Sequence, residues 1–274
     1  MTLKKLQRAA VRMFYDEALV HRVYENPSAA LMDLSLSQEE LAWLVRPDRR
    51  RWLSDPARRE RSLQVILGEF PVAAGLYVDG LPLSTLQDFF SSPEFHTCIN
   101  EGLSMVPCFG DWLMTKQPNL ASVVVLEQAI ARARRRRAVH LTQSLGHWSM
   151  CPHVEVAFAV QSALSQYQSH LAKLGSSPSA RLDALLTGQA LKPFVTADSD
   201  ESLASFIVEF DPASNDARMS EANPELGQLL EHLRTPRTEK NVYAFLKKFH
   251  IDRDQCASIL ADLASDSLIF QNNS

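Results

Sequence analysis

Five arginines stand in the six positions from 132 to 137, at Arg132, Arg134, Arg135, Arg136 and Arg137, inside the stretch RARRRRAVHL. On a helix such a run covers more than one side, so some guanidiniums face solvent while others pair with acids from another element or subunit. Arg132 and Arg135 or Arg136 share a face. No aromatic side chains suited to base stacking interleave with the run, which weighs against nucleic acid. An acidic leader peptide or a partner enzyme is the alternative occupant, beside a plainly solvated face. A second grouping, His147, Cys151 and His153 in HWSMCPH, offers imidazole and thiolate together, ligand types that hold transition ions. No carboxylate or distant matching set completes it. Glu155 and Asp183 form no recognisable acid pair, and HExxH, GxSxG, a glycine-rich phosphate loop and zinc-finger spacing are absent. The chain is therefore expected to carry no catalytic residues, no metal site and no cofactor of its own.

The elements that position these residues belong to a chain of 274 residues, 46% apolar, enough to fill a core. A net charge of -4 gives no general attraction to polyanions. Four cysteines, widely separated and without a CxxC pair, read as reduced, partly buried thiols. No apolar run reaches the roughly 18 residues of a membrane span, and the N-terminus lacks the layout of a secretion signal. The expected location is cytoplasmic, without membrane association.

Apolar spacing over Leu3, Leu6, Ala10, Met13, Phe14 and Leu19 predicts an N-terminal amphipathic helix. Ser37 with Glu40 forms a capping-box pattern, Asp55-Pro56 opens a helix that stops near Phe70-Pro71, and Ser84 and Ser92 are starting caps. Ala121 to Leu145 is one long helix-compatible run. HVEVAFAV fits either a short strand or the first turn of the helix that follows. SLASFIVEFDPASNDARMSE reads as a strand, a turn at Asp211 to Asp216 and a returning strand. The expected fold class is α+β: a helical N-terminal domain at 1–145 for partner docking, a connecting region with a helix at 146–200, and a small winged-helix-like domain at 201–274 with a strand hairpin.

A DNA-reading third helix needs basic and amide side chains amid phosphate-binding charge. The helix from about Asp252 to Ser265 instead pairs Arg253 and Gln255 with Asp252, Asp254 and Asp262. An extended peptide adding to a sheet edge needs no such charge. The expected peptide-binding residues are Phe206, Ile207, Val208, Glu209 and Phe210, with Arg253 from the neighbouring helix. Arg132, Arg135 and Arg136 are the expected partner-docking residues.

RSLQVILGEFPVAAGL, then LSTLQDFFSSPEF, then LEQAIARARRRR resembles the N-terminal domain of accessory subunits that accompany multinuclear iron TIM-barrel enzymes acting on ribosomally made peptides. Arg61, Phe70, Pro71, Phe89, Phe90, Leu126 and Glu127 carry that resemblance, and the later hairpin is similar to the peptide-recognition part of the same family. The family includes the accessory subunits of 3-thiaglutamate and methanobactin biosynthesis, and the chain length leans towards the former. The resemblance implies a noncatalytic subunit of a heterodimer in peptide natural product biosynthesis. It would bind the precursor's leader and present a cysteine to an oxidative TIM-barrel partner, with the iron in that partner. The competing classes are a winged-helix transcriptional regulator, an autonomous metalloenzyme and a purely structural docking protein.

Overall fold

The computed structural model describes residues 3–53, 55, 57–79, 81–136, 146–189, 191–192, 202–214 and 216–272. They form a mixed α+β structure with a helical N-terminal region and two three-stranded antiparallel sheets. The chain divides into two units, Met1–Leu120 with Gln168–Phe194, and Ala121–Tyr167 with Val195–Ser274. This division falls elsewhere than at residues 145 and 200. The helix Ala121–Arg135 packs on strands of the second unit, and the segment after Tyr167 returns to the first. Among the described residues no helix is long and apolar enough to cross a membrane.

In the first unit the predicted amphipathic helix runs over Leu3–Tyr15 and buries Ala9 and Met13 against Leu19, Val20, Leu41 and Leu44. Ser37 and Glu40 close a reciprocal capping box at the start of Gln38–Val45, which satisfies two otherwise unpaired backbone N–H groups. Ser92 caps Pro93–Glu101 as expected. Ser84 does not act as a cap: it lies inside the 3-10 segment Leu83–Ser91, which Pro82 precedes. The interior holds an aromatic cluster in which Phe89 meets Phe90, Phe95, Phe109 and Trp112 at centroid distances of 5.2 to 5.8 Å. Edge and tilted contacts of this kind add to the area that the rings bury.

One charged group sits at the junction of these helices. Asp16 is fully buried and caps Glu17–Glu25 by accepting from Leu19 N–H at 3.0 Å. It also accepts from the Ser91 hydroxyl at 2.9 Å and from His96 Nε2 at 3.1 Å. His96 Nδ1 then lies 3.4 Å from buried Arg12, which pairs with Asp33 at 2.6 Å. Burial alone would raise the Asp16 carboxyl, but the bonds from His96, Leu19 N–H and Ser91 outweigh it and hold the group below 3.8. A lowered carboxyl stabilises the fold in full above its unfolded value, and the stabilisation fades as pH falls through the folded value. Replacing Asp16→Asn should therefore cost about 2 kcal/mol at neutral pH. Urea denaturation of the two proteins should converge in acid; a difference that stays constant with pH would contradict this role.

The second unit holds both sheets. The strands are β1 (His147–Met150), β2 (Val154–Val160), β3 (Leu203–Asp211), β4 (Asp216–Ala222), β5 (Arg237–Thr238) and β6 (Ile269–Gln271). One sheet has the order β5-β1-β6 and the other β2-β3-β4. HVEVAFAV thus resolves as strand β2, with a helix following at Ala163–Leu174. The hairpin of β3 and β4 forms as predicted, Asp211 opposite Asp216, with the Asp211 carboxylate accepting from Ala213 N–H and Ser214.

Helices cover both faces of the β2-β3-β4 sheet. On one face Val154, Val156 and Ile207 join the core built on Leu229 and Leu230 of the helix Pro224–His232. That helix approaches so closely that a Cβ on Gly227 would lie 2.5 Å from Ser205 Cβ. On the other face the helix Ala121–Arg135 packs against β2 and β3. β3 is the middle strand, bonded to β2 on one side and β4 on the other, and Phe206, Ile207, Val208 and Phe210 are buried. The expectation that Phe206 to Phe210 offers an edge for peptide addition is therefore corrected. Its backbone groups are already used, and the unpaired edges belong to β2 and β4.

Candidate functional site

The outer edge of β2 follows from its hydrogen-bond alternation. Phe210 N–H donates to His153 C=O at 2.9 Å, and the register sets Val154 opposite Glu209. In an antiparallel pair the residues that exchange bonds alternate with those that do not. Glu155, Ala157 and Ala159 thus turn their backbone groups towards β3, and Val154, Val156, Phe158 and Val160 turn theirs outward. At the ends these outward groups have partners: Val154 N–H donates to Cys151 C=O at 3.0 Å and Val160 N–H to Ser122 Oγ at 3.4 Å. At Val156 and Phe158, among the described residues, no hydrogen bond takes them.

These two residues and Ala157 line a cleft of about 500 Å³. Val125 and Arg132 of the helix Ala121–Arg135 form one wall, and Glu231 and Arg234, at and beyond the end of the helix Pro224–His232, form the other. Phe158 presents an apolar side chain that is 37% exposed. An unpaired strand edge in a groove between two helices is the geometry that accepts an extended peptide.

At one end of this edge lies Glu155, 1% exposed and facing the helix Ala121–Arg135. Its carboxylate takes Arg132 Nε at 3.3 Å, Arg136 at 3.3 Å and Arg234 at 2.5 Å. Arg132 and Arg136 reach it together because four residues on a helix is slightly more than one turn. Arg234 is held in turn by Glu231 through two bonds of 2.9 and 2.8 Å, and its C=O accepts from Arg136 at 3.0 Å. Burial would lower Arg234, but the Glu231 bond and the Glu155 field raise it, so it remains a cation.

The predicted docking arginines thus separate. Arg132 and Arg136 fold onto Glu155 within the unit, Arg135 is exposed, and Arg134 lies over the Phe210 ring at 5.5 Å. Arg137 lies outside the described residues. Glu209 is half-buried opposite Arg218 and lines a second cleft of about 300 Å³ with His153, Phe210 and Asp211. Arg253 is the exposed first residue of the helix Arg253–Ser265, which packs on β6 and on the helix Glu239–Leu246. Of the possible metal ligands, His147 opens β1, Cys151 is buried beyond its end and His153 lines the second cleft. Among the described residues no three His, Cys, Asp or Glu side chains assemble to hold an ion. All four cysteines are free and buried, and burial pushes the Cys98 thiol up to about 12.

Weighed only as half of an acid pair with Asp183, Glu155 does not stand out in the sequence. The signal was one charge inside the apolar run HVEVAFAV, together with arginines four apart on a helix. No protein-family model matches the chain, and no match to it was found among curated proteins.

Glu155→Gln removes the shared negative charge, replaces one acceptor oxygen by an NH2 donor that faces a guanidinium, and leaves three cations crowded together. The variant should lose about 2 kcal/mol in denaturant unfolding, with little dependence on salt because the carboxylate is buried. A loss below about 0.5 kcal/mol would be that of an ordinary surface change and would reject the cluster as a structural anchor.

Proposed function

We propose that this chain is a noncatalytic accessory subunit that binds the leader of a ribosomally made precursor peptide in extended form. It presents the precursor's cysteine to an iron-dependent oxidative TIM-barrel partner. The observation that supports peptide binding is the unpaired edge of β2 at Val156 and Phe158, open to a cleft of about 500 Å³. Backbone bonds supply affinity in such an arrangement, and side-chain pockets beside the edge supply selectivity. The barrel partner, its iron and the cysteine substrate come from the resemblance in the N-terminal segments.

A second reading, the winged-helix regulator, draws on the other sheet of this unit. Helix Pro224–His232, β5, helices Glu239–Leu246 and Arg253–Ser265, and β6 follow one another in winged-helix order, and β1 from upstream fills the middle of the sheet. The exposed side of Arg253–Ser265 carries Asp254 and Asp262 beside Arg253. That face repels a phosphate backbone, so the winged-helix-like part is better suited to supporting the peptide edge than to reading DNA.

The test begins with the tagged full-length protein recovered from its native cells at moderate salt; a barrel iron protein and a small cysteine-bearing peptide should accompany it. Affinity for that peptide is then compared across two variants. Phe158→Pro removes an outward N–H without touching the bonds to β3, and Phe158→Ala keeps that N–H. The proline variant should bind about tenfold more weakly than the alanine variant, the equivalent of one lost backbone bond. Equal affinity in two folded variants would reject the β2 edge, and specific DNA in place of the peptide would favour the regulator.

A further inference from the structure

Of the three arginines around Glu155, two have their terminal nitrogens engaged. Arg136 uses one on Glu155 and the other on Arg234 C=O. Arg234 divides its terminal nitrogens between Glu155 and Glu231. Arg132 bonds Glu155 only through Nε, and among the described residues its two terminal nitrogens carry no hydrogen bond. Its side chain is 38% exposed and lines the cleft along β2. The local charge is also unbalanced. Three guanidiniums stand against the two carboxylates of Glu155 and Glu231.

We infer that Arg132 is a specificity residue that selects an acidic side chain in the bound peptide. The inference rests on the peptide-binding reading of the β2 edge. A strand added to β2 exchanges backbone bonds with Val156 and Phe158, and cross-strand neighbours place their side chains on the same face of a sheet. The peptide residue opposite Ala157 therefore projects to the face that carries Glu155 and the helix Ala121–Arg135. There it meets the open fork of Arg132. A planar guanidinium with two parallel N–H groups fits a carboxylate and not a carboxamide or an ammonium group. Glu155 anchors the other side of the same guanidinium, so the fork is pre-positioned and loses little freedom on binding. The ligand class is thus an extended peptide with Asp or Glu at one fixed register position, and Lys at that position is excluded by the surplus positive charge.

The full-length protein is panned against displayed random peptides of about twelve residues, roughly twice the length of a usual strand. Recovered sequences are resynthesised with each acid changed to its amide, and binding is measured to the native protein and to Arg132→Gln and Phe158→Pro. One acid should recur at a fixed position, and its amide should bind about tenfold more weakly. Arg132→Gln should show the same loss with the acidic peptide and no further loss with the amide. The amide peptides test the inference even if Arg132→Gln fails to fold. Peptides that lose affinity with Phe158→Pro but bind equally as acid and amide would overturn the selection of an acid and leave the β2 edge standing. The absence of any binder sensitive to Phe158→Pro would overturn both.

Discussion

A single buried carboxylate organises the second unit. Taking Glu155 out of water costs several kcal/mol, and only guanidiniums held at bonding distance offset it. Those guanidiniums arrive from two directions, Arg132 and Arg136 from the end of one helix and Arg234 from just beyond another. The requirement to satisfy one side chain of β2 therefore fixes the end of the helix Ala121–Arg135 on one face and the exit of Pro224–His232 on the other. Glu231 adds a second acid behind Arg234 and holds it in one rotamer. The flanks of the β2 edge are set by electrostatics at one end and by close packing at Gly227 further along.

Unpaired strand edges invite unwanted association, and the two edges of this sheet are handled differently. β4 is mostly exposed and places Asp216, Arg218 and Glu221 along its length, charges that discourage indiscriminate pairing. β2 is almost entirely apolar apart from Glu155, and its edge lies between the helices Ala121–Arg135 and Pro224–His232. Such a groove can leave backbone groups open without general aggregation. On the proposed reading, Arg132 at its wall adds a chemical requirement to a geometric one. Binding by backbone tolerates many sequences, and a charged fork narrows them.

Much of the local structure was legible in the sequence. The Ser37–Glu40 box, the Ser92 cap, the first helix and the hairpin turn at Asp211 depend on residues within a few positions of one another, and their signals are chemical. Strand order depends on pairing between distant segments, which no local pattern reveals. FIVEF, Phe206 to Phe210, reads as a hairpin edge because it is apolar and adjoins one turn. Apolar residues on both sides of a strand say that both faces are covered and not that the strand is central: β2 is as apolar as β3 and lies at an edge, while the alternating, charged DARMSEA marks the other rim. Glu155 was missed for a related reason. Its partners lie 19 and 23 positions before it and far beyond it in sequence, at Arg234, so no short motif contains the cluster.

The central claim is that the outer edge of β2 receives an extended peptide chain. Its most direct test is residue-resolved amide hydrogen exchange by NMR on the isotopically labelled full-length protein, alone and with the peptide that copurifies with it. The account predicts new protection at the amides of Val156 and Phe158, while those of Glu155 and Ala157, already bonded to β3, change little. Protection confined to β4, or no new protection in either edge strand despite saturation with peptide, would contradict it.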